Sequence, residues 1–260
     1  MDDLDQVPNV LACDVGNTNI RLACVCGDDV SDVRVVSVND SDLLTDAVAE
    51  LWQSMGEPRR VVAASVNPTA AKTLEAAVDH SIGQQMLLVG RELALPIATD
   101  LPAPEAVGTD RLCAAVAAFD RLGNACIIAD FGTAITIDCV NDAGVFLGGA
   151  ILPGVAMAAD SLADRTAQLP RVAPAEPANV FGKNTVEAIQ AGLVALARGA
   201  LRDRVEAYAN ELGHWPLVIC TGGDAQLVVG DLQHSELVQA IVPDLTLRGI
   251  AMAYYKSLLK

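Results

Sequence analysis

Residues 10–25 read VLACDVGNTNIRLACV, and residues 126–140 read CIIADFGTAITIDCV. Each is an apolar run ending in Asp, a glycine turn, and a second apolar run. That is the pattern of a β-turn-β unit. Asp14 and Asp130 stand 116 residues apart, as do Gly16 and Gly132. A device used twice at this spacing predicts two related half-domains, 9–122 and 123–260.

The flanking sequence supports a mixed α/β order throughout. Residues 32–38 are expected as a third strand, 60–66 and 85–89 as further strands, and 217–224 as a strand running into a glycine turn. Helical spacing of apolar residues marks 41–55, 110–122 and 185–210. Asn67-Pro68-Thr69 opens a helix to about His80, with Pro suited to the first turn. Shorter helices are expected at 157–162, from Ala225 to Val229, and at roughly 248–259. The stretches 90–109 and 170–180, rich in Pro and small or polar residues, are read as loops.

Phosphoryl transfer needs a phosphate cradle, a cation and a positioned nucleophile. Gly16, Asn17 and Thr18 supply the cradle, since glycine lets backbone approach a ligand and its neighbours carry donors. Asp14 ends its strand where a hard cation such as Mg²⁺ is met, directly or through water. The competing reading is an ordinary hairpin turn capped by Asp. Asp130, Gly132 and Thr133 repeat the set, so the two loops together fit a triphosphate. Thr221-Gly222-Gly223-Asp224 ends a late strand in small residues, which fits either a flat nucleoside or a helix N-cap turn. In Gly108-Thr109-Asp110-Arg111, Asp110 is either the cap of the following helix or the acceptor of a substrate hydroxyl proton. Arg111 offers a fork of donors to a substrate carbonyl or carboxylate. There is no G-x-x-x-x-G-K-[ST] and no G-x-G-x-x-G, which excludes a P-loop and a dinucleotide fingerprint.

Composition narrows the class. The net charge is -16 over 260 residues, and the densest basic cluster is Arg59-Arg60, so no nucleic-acid partner is expected. Seven cysteines lie mostly in apolar runs and read as buried thiols of a reducing compartment. His80, His214 and His234 are isolated in sequence and suggest no zinc site. The opening MDDLDQVP lacks the basic start and apolar core of a signal peptide. No apolar run reaches the roughly 20 residues of a membrane span. A cytoplasmic protein with no membrane partner is expected.

The motifs taken together resemble the type III pantothenate kinase family. They are ACDVGNTNIR (12–21), VGTDR (107–111), IADFGTAITID (129–138), GGAILPG (148–154), SLADRTAQLP (161–170), FGKNTVEAIQAG (181–192), TGGD (221–224) and PDLTLRGI (243–250). The resemblance implies duplicated actin-like half-domains of the acetate-kinase/hexokinase/Hsp70, ribonuclease H-like type around an ATP cleft. It implies transfer of the ATP γ-phosphoryl to the primary hydroxyl of pantothenate, giving 4'-phosphopantothenate, the first step of coenzyme A synthesis. By similarity Asp14, Val15, Gly16, Asn17, Thr18, Asn19, Ile20 and Arg21 form the phosphate loop, with Asp14 near Mg²⁺ or another divalent cation. Thr133, Gly222 and Gly223 are implied as ATP contacts, and Asp130 as the ligand of K⁺ or NH₄⁺. Gly108, Thr109, Asp110 and Arg111 are implied as pantothenate contacts, with Asp110 the base. Thr185 is implied as a contact contributed across the interface of a homodimer. Two positions depart from the family pattern. Leu101 stands where many members have a Tyr lining the substrate pocket, and Thr109 stands where Ala is usual.

Overall fold

The computed structural model describes residues 7–232 and 237–259; the segment MDDLDQ and His234 lie outside the described residues. In chain order the elements begin β1 (Asn9–Val15), β2 (Asn19–Cys26), β3 (Asp29–Ser37), α1 (Ser41–Ser54), β4 (Arg59–Ser65), α2 (Pro68–Ile82) and β5 (Met86–Leu88). They continue β6 (Ala98–Thr99), α3 (Thr109–Leu122), β7 (Cys126–Phe131), β8 (Ala134–Val140), β9 (Val145–Pro153), α4 (Val155–Arg165) and α5 (Thr185–Leu212). The last are β10 (Leu217–Thr221), α6 (Ala225–Val229), β11 (Ala240–Ile241) and α7 (Leu245–Ser257). Contacts gather them into two compact units: Met1–Ala98, Pro102–Asp120 and Asp244–Lys260 in one, Thr99–Leu101 and Arg121–Pro243 in the other.

In the first unit β1, β2 and β3 form an antiparallel meander, β4 returns parallel to β1, and β5 lies parallel to β4. The sheet order is β3-β2-β1-β4-β5. Successive side chains of a strand point to opposite faces, and β1 uses both. Leu11, Cys13 and Val15 pack with Leu44, Leu51, Leu74 and Val78 of α1 and α2. Val10 and Ala12 pack with Cys113 of α3 and with Leu247 and Ile250 of α7. There α7 comes close to α3: a Cβ on Gly249 would stand 1.9 Å from the Cys113 carbonyl oxygen.

The second unit holds a sheet of order β11-β10-β7-β8-β9-β6. Here β7, β8 and β9 form the antiparallel meander, β10 lies parallel to β7, and β11 parallel to β10. Taken from the third meander strand, each sheet therefore runs third, second, first, fourth, fifth. Ile127, Ala129 and Phe131 of β7 pack with Ile189, Leu193, Ala197, Leu201 and Val205 of α5. Those α5 positions repeat every four residues, one face of a helix. Asn184 starts α5 by accepting the Glu187 N–H at 3.0 Å, while Glu187 returns to the Lys183 N–H at 2.8 Å.

Several expected boundaries shift. β3 begins at Asp29, earlier than expected, directly after a turn at Gly27, whose φ is +57°. α4 is longer than 157–162 at both ends, with Gly154 at its N-cap position. The strand-to-glycine-turn order expected over 217–224 is present: β10 ends at Thr221, and Gly222, at φ +94°, turns the chain out of it. The 90–109 stretch, read as loop, contributes β6, and β11 was likewise not anticipated. Strands of two residues carry no readable period. Among the described residues, no helix is long and apolar enough to cross a membrane.

Candidate active site

In the first unit, Asp14 continues the face of β1 that carries Val10 and Ala12, so its carboxylate lies on the α3 side of the sheet. Arg21 stands directly across from it on β2. The turn between these strands is closed by the Gly16 N–H donating to the Asn19 carbonyl at 3.0 Å. A Cβ on Gly16 would come within 3.1 Å of that same oxygen, so the tightness of the turn calls for glycine. Val15 and Ile20 are fully buried and anchor both ends of the loop. Asn17, Thr18 and Asn19 are exposed at its tip.

The other half of this site is the start of α3. Thr109 Oγ1 donates to the Ser65 carbonyl at 3.1 Å. Ser65 ends β4 and sits beside Val15 in the parallel register, so this bond ties α3 to the end of the sheet that carries the loop. Thr109 itself begins the helix, and Asp110 is its second residue rather than its cap. The Asp110 carboxylate folds back so that Oδ1 accepts the Arg111 N–H at 2.8 Å. This puts Oδ1 where a Cβ on Gly108 would be, 2.4 Å away. Burial pushes the Asp110 pKa above its ordinary value, opposed in part by the Arg111 N–H and the Arg111 charge. Asp14 and Asp110 converge on one point: both raise the pKa of the buried Cys113 thiol, one helical turn after Asp110, beyond the effect of burial itself. Asp14, Gly16, Gly108, Thr109, Asp110 and Arg111 thus gather at one end of one sheet.

In the second unit, Asp130 occupies the equivalent position on β7. Its cross-strand neighbours are Thr136 on β8 and Thr221 on β10, which makes a polar row on the face away from α5. Phe131, next along, is fully buried on the opposite face, worth about 2–3 kcal/mol, and fixes the strand end. The Asp130 carboxylate fills the space beside two glycines. A Cβ on Gly222 would stand 2.4 Å from Oδ1, and one on Gly132 would stand 3.4 Å away. Gly222 is thus required twice, by its φ of +94° and by this contact. Thr133 is exposed at the turn, and Gly223 is open on its Cβ side. The Asp224 N–H donates to the Phe131 carbonyl at 2.9 Å, and burial raises the Asp224 pKa. Leu101 packs against Gly148, where a Cβ would meet Leu101 Cδ2 at 3.2 Å.

Thr185 is the first residue of α5 and lines an apolar groove of about 690 Å³ between α4 and α5, with Met157, Leu162, Leu193 and Leu196 among its walls. Sequence reasoning did not single out Ser65, Cys113 or Gly154, which position the loops. The Pro153-Gly154 pair before a helix was the available signal for the last.

The cation chemistry can be judged from the donors. Among the described residues, no group of three or more His, Cys, Asp or Glu side chains converges. Single carboxylates such as Asp14 and Asp130 fit hard cations that share their shell with phosphate and water. Five of the seven thiols are buried, and burial pushes Cys126 and Cys220 up to about 12, so these two stay protonated and inert.

Comparison with known proteins bears on the same residues. A model of the family described as type III pantothenate kinase matches residues 10–207. A type III pantothenate kinase of Moorella thermoacetica is 34% identical over 256 residues, covering 95% of this chain and 99% of that one. One from Anaeromyxobacter dehalogenans is 37% identical over 255 residues, covering 95% and 99%. Among solved structures, the ethanolamine utilization protein EutJ from Carboxydothermus hydrogenoformans aligns with a TM-score of 0.53 at 18% identity, covering 94% of this chain and 89% of that one. MreB5 of Spiroplasma citri aligns with a TM-score of 0.50 at 10% identity, covering 97% of each. At these identities the likeness shows the fold alone: the chain shares the fold of EutJ and MreB5.

Proposed function

This chain belongs to the type III pantothenate kinase family, and from that premise we propose that Asp110 is the base through which it phosphorylates pantothenate with ATP. The family's reaction, ATP-dependent phosphorylation of pantothenate in coenzyme A biosynthesis, is this chain's function. The observation that carries the residue assignment is the fold-back of Asp110 over Gly108, at the sheet end that also bears Asp14.

In this reading, Oδ1 of Asp110 is held by the Arg111 N–H, and Oδ2 receives the proton of the primary hydroxyl of pantothenate. Burial raises the basicity of the carboxylate, which suits proton acceptance. The Arg111 side chain orients the acceptor, and Gly108 and Thr109 shape its wall; Leu101 is assigned to the acceptor by the family resemblance alone. Asp14 to Arg21 hold the phosphates from one loop. Thr133, Gly222 and Gly223 hold the nucleotide from the other. Asp14 is assigned to a divalent cation, Mg²⁺ by preference, which when bound neutralises phosphate charge. Asp130 is assigned to K⁺ or NH₄⁺; its place beside Gly132 and Gly222 supports this. The duplicated half-domain organisation is part of the proposal and is supported by the strand order common to both sheets; the expected bounds 9–122 and 123–260 change at the C-terminal end, where α7 packs with the first unit. A homodimer is supported by Met157, Val186 and Leu196, which are 48%, 43% and 52% exposed on α4 and α5.

The test is a purified-enzyme assay of ADP release with Mg²⁺, in K⁺ or in Na⁺ buffer, over a panel of acceptor alcohols. Turnover with pantothenate that requires K⁺ or NH₄⁺ is expected. Equal rates in sodium alone would remove the assignment of Asp130.

A further inference from the structure

We propose that Gly154 is the positioning residue of the Gly132–Thr133 turn, so that the first turn of α4 sets where the nucleotide loop stands; this rests on the assignment of that turn to ATP. Ala134, the first residue of β8, pairs with Pro153, the last of β9. The chain therefore leaves β9 directly beside the turn. The Gly154 N–H donates to the Thr133 carbonyl at 3.2 Å, and the Gly132 N–H donates to the Ala134 carbonyl at 3.2 Å. The turn is thus held from two sides.

Gly154 has an ordinary extended backbone, φ -62° and ψ 164°, so its conformation does not demand glycine. Its surroundings do. A Cβ there would stand 2.3 Å from the Thr133 carbonyl oxygen and 2.4 Å from that of Gly132. Carbon and oxygen in weak contact keep about 3.3 Å apart. Both atoms are backbone and cannot swing aside as a side-chain tip does. An alanine at 154 must displace the turn, or α4, by roughly 1 Å.

α4 is not free to give way. Val155 and Ala159 are buried in the core that holds Ile189 and Leu193 of α5. The turn is the lighter partner and should move. A displacement of that size at a ligand-positioning element costs up to about a hundredfold in rate.

The experiment compares Gly154→Ala with Thr133→Ala and with Gly199→Ala, an exposed α5 site whose Cβ meets nothing within 4 Å. Binding of a non-hydrolysable ATP analogue is measured by calorimetry, and pantothenate KM by steady-state kinetics. Gly154→Ala should weaken analogue binding about tenfold or more, with pantothenate KM nearly unchanged and Gly199→Ala like the wild type. If Thr133→Ala weakens the analogue and Gly154→Ala does not, the inference fails. If Thr133→Ala binds like the wild type, the assignment of the turn to ATP fails instead. Hydrogen exchange on the wild-type protein decides the matter should Gly154→Ala not fold. The analogue should protect residues 152–158 along with 131–136. Protection of 131–136 alone would overturn the proposal.

Discussion

Replacing Gly108 by Ala separates catalysis from folding more cleanly than removing Asp110 does. The new Cβ would lie 2.4 Å from Asp110 Oδ1 and 3.3 Å from Val66 Cγ1. The second distance is tight but tolerable. The first is not, because about 3.3 Å is needed, so Oδ1 must retreat by roughly 1 Å. Oδ1 is the tip of a side chain, and rotation relieves the clash without moving backbone. An off-rotamer turn of Asp110 costs about 0.5–1.5 kcal/mol. Loss of glycine freedom in the unfolded chain returns about 0.4–1 kcal/mol, since Gly108 is not among the positive-φ glycines. Stability should therefore stay near that of the wild type. Catalysis should not. The retreat pulls Oδ1 off the Arg111 N–H, now 2.8 Å away, and carries the carboxylate from its place. A catalytic group displaced by 1 Å loses about a hundredfold, or about 2.7 kcal/mol of barrier. Steady-state ADP release gives kcat and both KM values, and a thermal melt gives Tm. A Gly108→Ala enzyme with wild-type kcat and unchanged Tm would refute the role of the fold-back.

Asp110→Asn should fold and lose about two to four orders of magnitude in turnover; near-normal turnover would remove Asp110 as base. Because burial raises the Asp110 pKa, the folded state holds that proton more tightly than the unfolded chain. Its stabilising contribution is present at acid pH and lost as pH rises through the folded pKa. Asp110→Asn should then have a higher Tm than wild type at neutral pH but not in acid, and an equal difference at both would contradict the burial argument. Thr109→Ala removes the hydroxyl bond to Ser65, worth about 1 kcal/mol, and should lower kcat severalfold. Thr109→Ser should restore it, and failure of the Ser variant to do so would make the methyl group, not the bond, the relevant part. Leu196→Asp places a charge in the exposed apolar strip of α5 and should yield monomers by light scattering; an intact dimer would move the interface elsewhere.

Much of the fold could be read in the sequence because its signals are local. The Asp-x-Gly hairpins, the Asn67-Pro68 helix start and the apolar spacing of α5 each declare themselves within a few residues. What escaped was set by distant partners. β6 and β11 are strands only because a neighbouring strand end offers hydrogen bonds to two residues. Asp110 could be read as a cap, but the helix starts one residue earlier, at Thr109, which reaches across to Ser65. The motif residues were recognisable, whereas their mutual placement was not. That Gly108 is a seat for Asp110, and Gly222 a seat for Asp130, follows from contacts no spacing rule encodes. Gly154 escaped for the same reason, since its neighbours lie in a turn some twenty residues earlier.

The packing of α7 on the first sheet has a consequence for how the protein is made. Val10, Ala12, Ala23 and Val25 share their cover with Leu247, Ile250 and Ala251. Residues 121–243 must be translated before that cover exists. At about 5–20 residues per second, a ribosome holds the first unit with one side of its sheet incompletely covered for on the order of ten seconds. During that interval the nascent chain presents an apolar surface to its surroundings. The unit that carries Asp14 and Asp110 is begun first and finished last.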